Sequence, residues 1–98
     1  YSNYAVYLSN KGGKFKILRL DLNSPTAGPV DMISTLTNIE IFNFDYDSAK
    51  SMLYYDVYNL DNNTSYVAEQ AINSTTMTSQ ISASGYTITD VVPFTATN

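Results

Sequence analysis

The sequence contains no cysteine, no histidine and no tryptophan in its 98 residues. The first two absences exclude disulfides, thiolate nucleophiles, and proton shuttles or metal sites that depend on histidine. Charge is also scarce, because charged residues make up 14% of the chain against the ~25% of average soluble proteins. The net charge of −4 argues against nucleic acid as a partner and against attraction to anionic membranes. We expect no cofactor.

Long apolar runs are absent as well, so the sequence predicts no membrane insertion. The chain does not begin with methionine and shows no signal peptide, which predicts a processed product or a piece of a longer protein. Runs of strong helix formers are missing too. What the chain does contain is serine, threonine, asparagine and nine tyrosines. This composition favours a single all-β unit spanning residues 1–98.

Alternation of apolar and polar residues predicts about eight short antiparallel strands. They cover residues 4–8, 14–22, 30–36, 39–44, 52–58, 64–72, 76–83 and 86–92. The alternation changes phase between Ile17 and Leu18, which predicts either a β-bulge or a strand covered on both faces. In the fifth strand, Leu53, Tyr55 and Val57 are expected on one face. Asp56 is expected on the other, as a polar group that needs a hydrogen-bond partner.

The two halves of the chain share an order of strands and turns. A shift of about 47 residues superposes them, giving repeats of about 1–47 and 48–94. Units of this length with four strands are typical of β-propeller blades. The sequence therefore predicts two propeller-like blades, with a single β-sandwich as the alternative fold.

A family resemblance lies within this frame. Residues 7–10 (Tyr-Leu-Ser-Asn) and 53–56 (Leu-Tyr-Tyr-Asp) resemble the Tyr-Trp-Thr-Asp (YWTD) motif of low-density-lipoprotein-receptor-like β-propellers. Residues 15–22 and 42–47 resemble the neighbouring strands of such blades. The resemblance implies an extracellular, ligand-binding, non-enzymatic propeller. The chain departs from the motif in lacking tryptophan and in placing Val57 where the family has an aspartate that forms hydrogen bonds between blades.

Three sequons provide candidate N-glycosylation sites and favour an extracellular or cell-surface glycoprotein. Their asparagines are Asn62, Asn63 and Asn73.

Four of the five positive charges lie within nine residues, at Lys11, Lys14, Lys16 and Arg19. The cluster predicts either a surface for an acidic partner or sulfated glycan, or a solvated hairpin whose lysines discourage edge aggregation. Tyrosines add amphipathic contact area that suits recognition. The candidate ligand or partner surface consists of Lys14, Lys16, Arg19, Tyr55 and Tyr58.

Asp45, Asp47, Asp56 and Asp61 are the carboxylates considered for acid–base chemistry or calcium binding. Their spacing lacks the pattern of a calcium loop, and we interpret them as solvated turn residues. Catalytic and metal residues are therefore not predicted, and an enzyme is not expected.

The function predicted from sequence is a non-catalytic extracellular binding or adhesion module that is a fragment or subunit of a β-propeller. Its expected partners are other chains, or copies of itself that complete the sheet assembly, and glycans. One alternative is a structural subunit of a surface filament, pilus or layer, which the low charge suits equally. The other is a small carbohydrate-binding lectin.

Overall fold

A computed structural model describes residues 3–82 of the chain. The strands are β1 (Tyr4–Ser9), β2 (Lys16–Asp21), β3 (Val30–Asp31), β4 (Ile39–Glu40), β5 (Phe44–Asp47), β6 (Met52–Asn59), β7 (Thr64–Ala71) and β8 (Ser79–Ser82). They form two antiparallel sheets of three and five strands, and the all-β prediction is confirmed. The strand predicted at 86–92 lies outside the described residues.

The first sheet has the order β1-β2-β3. Its β1–β2 ladder is continuous, from Tyr4 opposite Asp21 to Ser9 opposite Lys16. Of the two alternatives predicted for the phase change between Ile17 and Leu18, the bulge is therefore wrong, because an inserted residue would break this register. Ile17 is fully buried while Leu18 is half-buried on the opposite face, so both faces of β2 carry apolar side chains.

The second sheet has the order β4-β6-β7-β8, and β5 also pairs with β6. The segment predicted as one strand at 39–44 is in fact β4, three irregular residues, and the start of β5. Glu40 lies opposite Tyr58 and Phe44 lies opposite Tyr55, so three residues on one strand face two on the other. This is the geometry of a β-bulge, located in a different strand from the one predicted.

Turn chemistry shortens the third predicted strand. The Asp31 carboxylate accepts a 3.1 Å hydrogen bond from the backbone N–H of Ile33, and the N–H of Leu36 donates to the Ile33 carbonyl. Such local bonds compete with the sheet ladder and turn the chain. The expected strand 30–36 is thus reduced to Val30–Asp31.

The core lies between the two sheets and consists mainly of buried aliphatic residues, together with the fully buried Tyr55. The second sheet contributes Leu53, Tyr55 and Val57, which are at most 1% exposed, as their alternation predicted. The first sheet contributes Ile17, with Val6 and Leu8 packed against the cluster.

Two side chains link the sheets through backbone carbonyls. The Arg19 guanidinium of β2 donates to the carbonyl of Ile72, which follows β7. In the other direction, the Gln70 amide of β7 donates a 2.7 Å bond to the carbonyl of Met32, which follows β3. Each sheet therefore supplies a donor that satisfies a carbonyl of the other.

The two sheets meet through stereochemically different faces. Opposed residues of antiparallel strands alternate between hydrogen-bonded and non-hydrogen-bonded pairs. In the β1–β2 ladder, the bond from the Leu22 N–H to the Asn3 carbonyl shows that Asn3 and Leu22 are a hydrogen-bonded pair. Counting along the ladder by alternation, the core-facing residues Val6 and Leu8 belong to non-hydrogen-bonded pairs.

In the second sheet the phase is reversed. The bond from the Ile72 N–H to the Ser51 carbonyl shows that the core-facing residues Leu53 and Tyr55 belong to hydrogen-bonded pairs of the β6–β7 ladder. Because the residues are L-amino acids, the side chains of hydrogen-bonded pairs point to the same one of the two sheet faces in every hairpin of the same connectivity. The sheets therefore pack head to tail, with unlike faces in contact.

Candidate functional site

A groove of about 470 Å³ lies between the β1–β2 turn and the segment that joins β3 to β4, a size within the range of small-ligand sites. We call it the Lys14–Lys16 groove. The two lysines and Asp31 are its charged groups. Its apolar lining comes from Phe15, Ile33, Leu36, Ile39 and Leu60.

Glycine backbone geometry shapes the basic wall of the groove. Gly12 and Gly13 adopt φ values of 66° and 76°, a region that residues with a Cβ rarely enter. The Lys14 N–H then donates to the Lys11 carbonyl and closes a 3-10 turn. The turn places Lys14 just before the start of β2, two residues from Lys16. Both exposed side chains therefore extend toward the same face.

The opposite wall is held by a polar clamp. Asn38 has a φ of 55° and its side-chain amide donates to the carboxylate of Asp61. The Asn38 carbonyl also accepts a 3.0 Å bond from the N–H of Leu60. These contacts fix the β6–β7 turn beside β4, so Leu60 and Ile39 line the same groove.

The groove combines two ammonium groups with an apolar floor, and the carboxylate of Asp31 lies beside them. A second depression of about 450 Å³ is also lined by Lys14, Lys16 and Asp31, so these three residues border both concave surfaces. Such a surface suits an acidic or sulfated ligand that also presents apolar area.

Two residues of the candidate surface lie elsewhere. Arg19 is half-buried on the opposite face of β2 from Lys16, where its guanidinium bonds Ile72 and lies 5.2 Å from the centre of the Tyr4 ring. Tyr58 does not line the groove, and its hydroxyl donates to the Asn63 side chain. The sequence grouped these residues with the lysines by proximity along the chain and by residue type.

Tyr55 is fully buried, so its assignment to a ligand surface is wrong. Its hydroxyl donates a 2.7 Å bond to the Gln70 side chain, whose amide in turn donates to the carbonyls of Met32 and Ser74. Burial raises the pKa of Tyr55 strongly, because a phenolate would lose its hydration in this setting. Tyr55 is a core residue with a satisfied polar group.

Asp56 is likewise not a solvated turn residue. It is 1% exposed, and one carboxylate oxygen accepts bonds of 2.9 and 3.1 Å from the N–H groups of Phe42 and Asn43. These two residues form the bulge between β4 and β5. The hydrogen-bond partner that Asp56 was predicted to need is therefore the bulged backbone of its own sheet.

Of the remaining carboxylates, Asp45 is a half-buried residue within β5 and not a turn residue, whereas Asp47 ends that strand and Asp61 lies in an exposed turn. Asp47 accepts from the N–H groups of Ala49 and Lys50, and Asp61 accepts from Asn38. Within residues 3–82, no group of three acidic side chains converges in a way that would hold a metal ion.

The three sequon asparagines are exposed, and they differ in their hydroxyl residues. Thr64 is exposed and its hydroxyl donates a 2.6 Å bond to the Asn62 side chain. Ser65, the hydroxyl residue of the Asn63 sequon, is only 5% exposed. The Asn62 sequon is therefore accessible as a whole, whereas that of Asn63 is not.

Sequence reasoning missed the apolar lining of the groove. Phe15 and Leu60 each adjoin a hairpin turn, which is the one signal that could have suggested them. Ile33, Leu36 and Ile39 read as strand residues, and only the turn that follows β3 places them along the wall.

Comparisons of this chain with family models, curated proteins and solved structures gave no match. In the part of the chain that the structure describes, no helix has the length and apolar character needed to cross a membrane.

Proposed function

We propose that this protein is a non-catalytic binding or adhesion module of the extracellular space or cell surface, built from two propeller-like blades. The observation that carries the proposal is the head-to-tail contact of two antiparallel sheets of the same connectivity. Blades of a propeller contact their neighbours through unlike faces, because each is related to the next by rotation. A sandwich related by a two-fold axis would bring like faces together.

The strand order supports the same proposal. β5, β6, β7 and β8 form a four-stranded meander, which is the composition of one blade. β1, β2 and β3 correspond to its last three strands. In this second blade, β4 and the irregular residues before β5 lengthen the first strand, because β4 and β5 both pair with β6.

The ligand site that we propose is the Lys14–Lys16 groove, and the ligand class is an acidic partner such as a sulfated glycan. Lysine ammonium groups attract sulfate as point charges, and the apolar floor supplies contact area for a sugar ring or an aliphatic side chain. Acid–base and nucleophilic chemistry is not part of the proposal, since the chain offers no histidine or cysteine to activate a hydroxyl.

Titration with size-defined sulfated oligosaccharides, followed by calorimetry, tests this function. We expect the double variant Lys14→Ser/Lys16→Ser to weaken binding at least about tenfold, and higher salt to weaken the wild type. Lys50→Ser removes a charge from the exposed β5–β6 turn and serves as the control. Equal affinity of the double variant and the wild type would contradict the assigned site.

A structural subunit of a surface filament, pilus or layer is the second candidate. The observation that favours it is Ile81, an edge-strand residue that is 72% exposed. Open-ended polymers without oligosaccharide binding would favour this candidate over the binding module. A small lectin would instead show neutral-sugar binding on a glycan array, insensitive to the two lysines.

A further inference from the structure

Each sheet has a second face that no described residue of the other sheet covers. We call them the outer A face and the outer B face. The outer A face includes Ala5, Tyr7, Ser9, Lys16, Leu18 and Leu20. The outer B face includes Met52, Tyr54, Val67, Glu69, Ala71 and Ile81.

Like the two faces already in contact, one outer face carries the side chains of hydrogen-bonded pairs and the other carries those of non-hydrogen-bonded pairs. Tyr7 and Leu18 form a hydrogen-bonded pair on the outer A face, like Tyr55 and Ala68 in the core. On the outer B face, Tyr54 and Glu69 form a non-hydrogen-bonded pair, like Val6 and Arg19 of the first sheet. The outer faces are therefore suited to meet each other in the way that the inner faces do.

Apolar area is present on both outer faces within residues 3–82. Tyr7 is 41% exposed and lies beside the half-buried Leu18 and Leu20. On the outer B face, Ile81 is 72% exposed and lies opposite Val67. An extended apolar sheet face that stays in water is unusual for a monomer.

The outer A face carries two lysines and one aspartate, whereas the outer B face is acidic. Lys16 lies on the outer A face and Lys14 precedes it, with Asp31 as the opposing charge on β3. On the outer B face, Asp45, Tyr54 and Glu69 lie in one row across three strands. Desolvation by burial, followed by the charges of Glu69 and Asp47, raises the pKa of Tyr54, consistent with acidic groups gathered around its hydroxyl.

From these observations we infer that the outer A face of one copy binds the outer B face of a second copy of this chain. The inference rests on the repeated-unit part of the proposed function. The interface is heterologous, because each copy contributes a different surface, and it leads to a closed ring or to an open filament according to the angle between copies.

Native mass spectrometry and light scattering of the wild type across a concentration series test the inference. We expect masses at multiples of 10.9 kDa that shift toward the monomer as salt rises. Tyr7→Glu places a negative charge against the acidic face, and Ile81→Lys places a positive charge against the basic face. Each variant alone should associate at least about tenfold more weakly, and both exposed positions leave the core intact.

Mixing the two variants separates a heterologous interface from a symmetric one. The mixture retains one intact outer A face and one intact outer B face, so it should form mixed complexes that neither variant forms alone. Asn62→Glu and Asn62→Lys carry the same charge changes in the exposed β6–β7 turn, outside the groove, and should assemble like the wild type.

Three results would overturn the inference: a wild type that stays monomeric throughout, a Tyr7→Glu variant that assembles fully, or a mixture that gives no mixed complex. None of them would affect the groove. Oligosaccharide binding is measured separately on monomeric Ile81→Lys, whose substitution lies on the other sheet from Lys14 and Lys16.

Discussion

The hydroxyl of Tyr55 donates a 2.7 Å hydrogen bond to the side-chain oxygen of Gln70, and both side chains are buried. The amide of Gln70 then reaches carbonyls on either side, at Met32 and Ser74. A single buried amide thus joins the second sheet to the turn that follows the first.

We expect Tyr55→Phe to lower the free energy of unfolding by about 1–3 kcal/mol, because the oxygen of Gln70 would remain buried without its donor. Urea denaturation followed by circular dichroism measures the change. Tyr7→Phe removes the same hydroxyl from an exposed tyrosine and should change stability little. Equal losses in the two variants would show that the buried bond contributes nothing specific.

Stability should fall in alkaline solution. Burial raises the pKa of Tyr55 and of Tyr66 above the unfolded value of about 10. The neutral phenols are favoured in the folded state, so their contribution is complete below pH ~10 and is lost as pH rises above it, by up to ~1.4 kcal/mol per pH unit for each group.

The pH dependence of chemical denaturation, compared between the wild type and Tyr55→Phe, tests this expectation. The variant should show a shallower decline above pH ~10, because one of the groups that ionise only on unfolding is gone. Parallel curves for the two proteins would mean that Tyr55 ionises without unfolding.

Asp56→Ala should destabilise the fold by about 2–4 kcal/mol, because two backbone N–H groups of the bulge lose their acceptor. Asp56→Asn retains a side-chain oxygen and should cost less. Hydrogen exchange reads the effect at its source, since the amides of Phe42 and Asn43 should lose protection first in the alanine variant. Unchanged protection of these amides would contradict the assigned role.

Glycosylation should distinguish the overlapping sequons. On expression through a eukaryotic secretory pathway, we expect Asn62 to be modified and Asn63 to remain free, because Ser65 is buried and Thr64 is exposed. Peptide mass spectrometry of Thr64→Ala should show the glycan lost, whereas Ser65→Ala should keep it. A glycan on Asn63 in the wild type would contradict the prediction.

Much of the fold could be predicted from the sequence, since alternation in 4–8, 52–58 and 64–72 agrees closely with β1, β6 and β7. The predicted strands are wrong where local polar contacts determine the backbone conformation in spite of the alternation of apolar and polar residues. Asp31 turns the chain soon after β3 begins, and Asp56 stabilises a bulge that splits 39–44. Neither contact leaves a periodic signal, because each depends on a single carboxylate and the backbone that it meets.

The proposed repeat shows a different limit of sequence comparison. A shift of 47 residues pairs Val6 with Leu53, since both are apolar and face the core. The hydrogen-bond phase of the ladders instead relates Val6 to a residue of the opposite face, such as Tyr54. Alignment by hydrophobicity matches buried with buried positions, whereas head-to-tail packing of two repeats would place equivalent positions in different environments.

For the site, the lysines could be predicted and the groove could not. Lys14 and Lys16 share a face by strand parity, which sequence reveals. Arg19 lies three residues from Lys16 and is therefore on the other face of β2. Tyr55 is fully buried in the core. The apolar floor requires two distant turns to meet.

The connectivity of the sheets also has a consequence for the order of folding. Within residues 3–82, every strand pairing except that of β4 with β6 joins consecutive strands, so most of the ladder closes short loops. The contacts between sheets span 38 residues from Met32 to Gln70 and 53 from Arg19 to Ile72. We therefore expect the hairpins to form in the early, fast phase and the docking of one sheet on the other to limit the rate of folding.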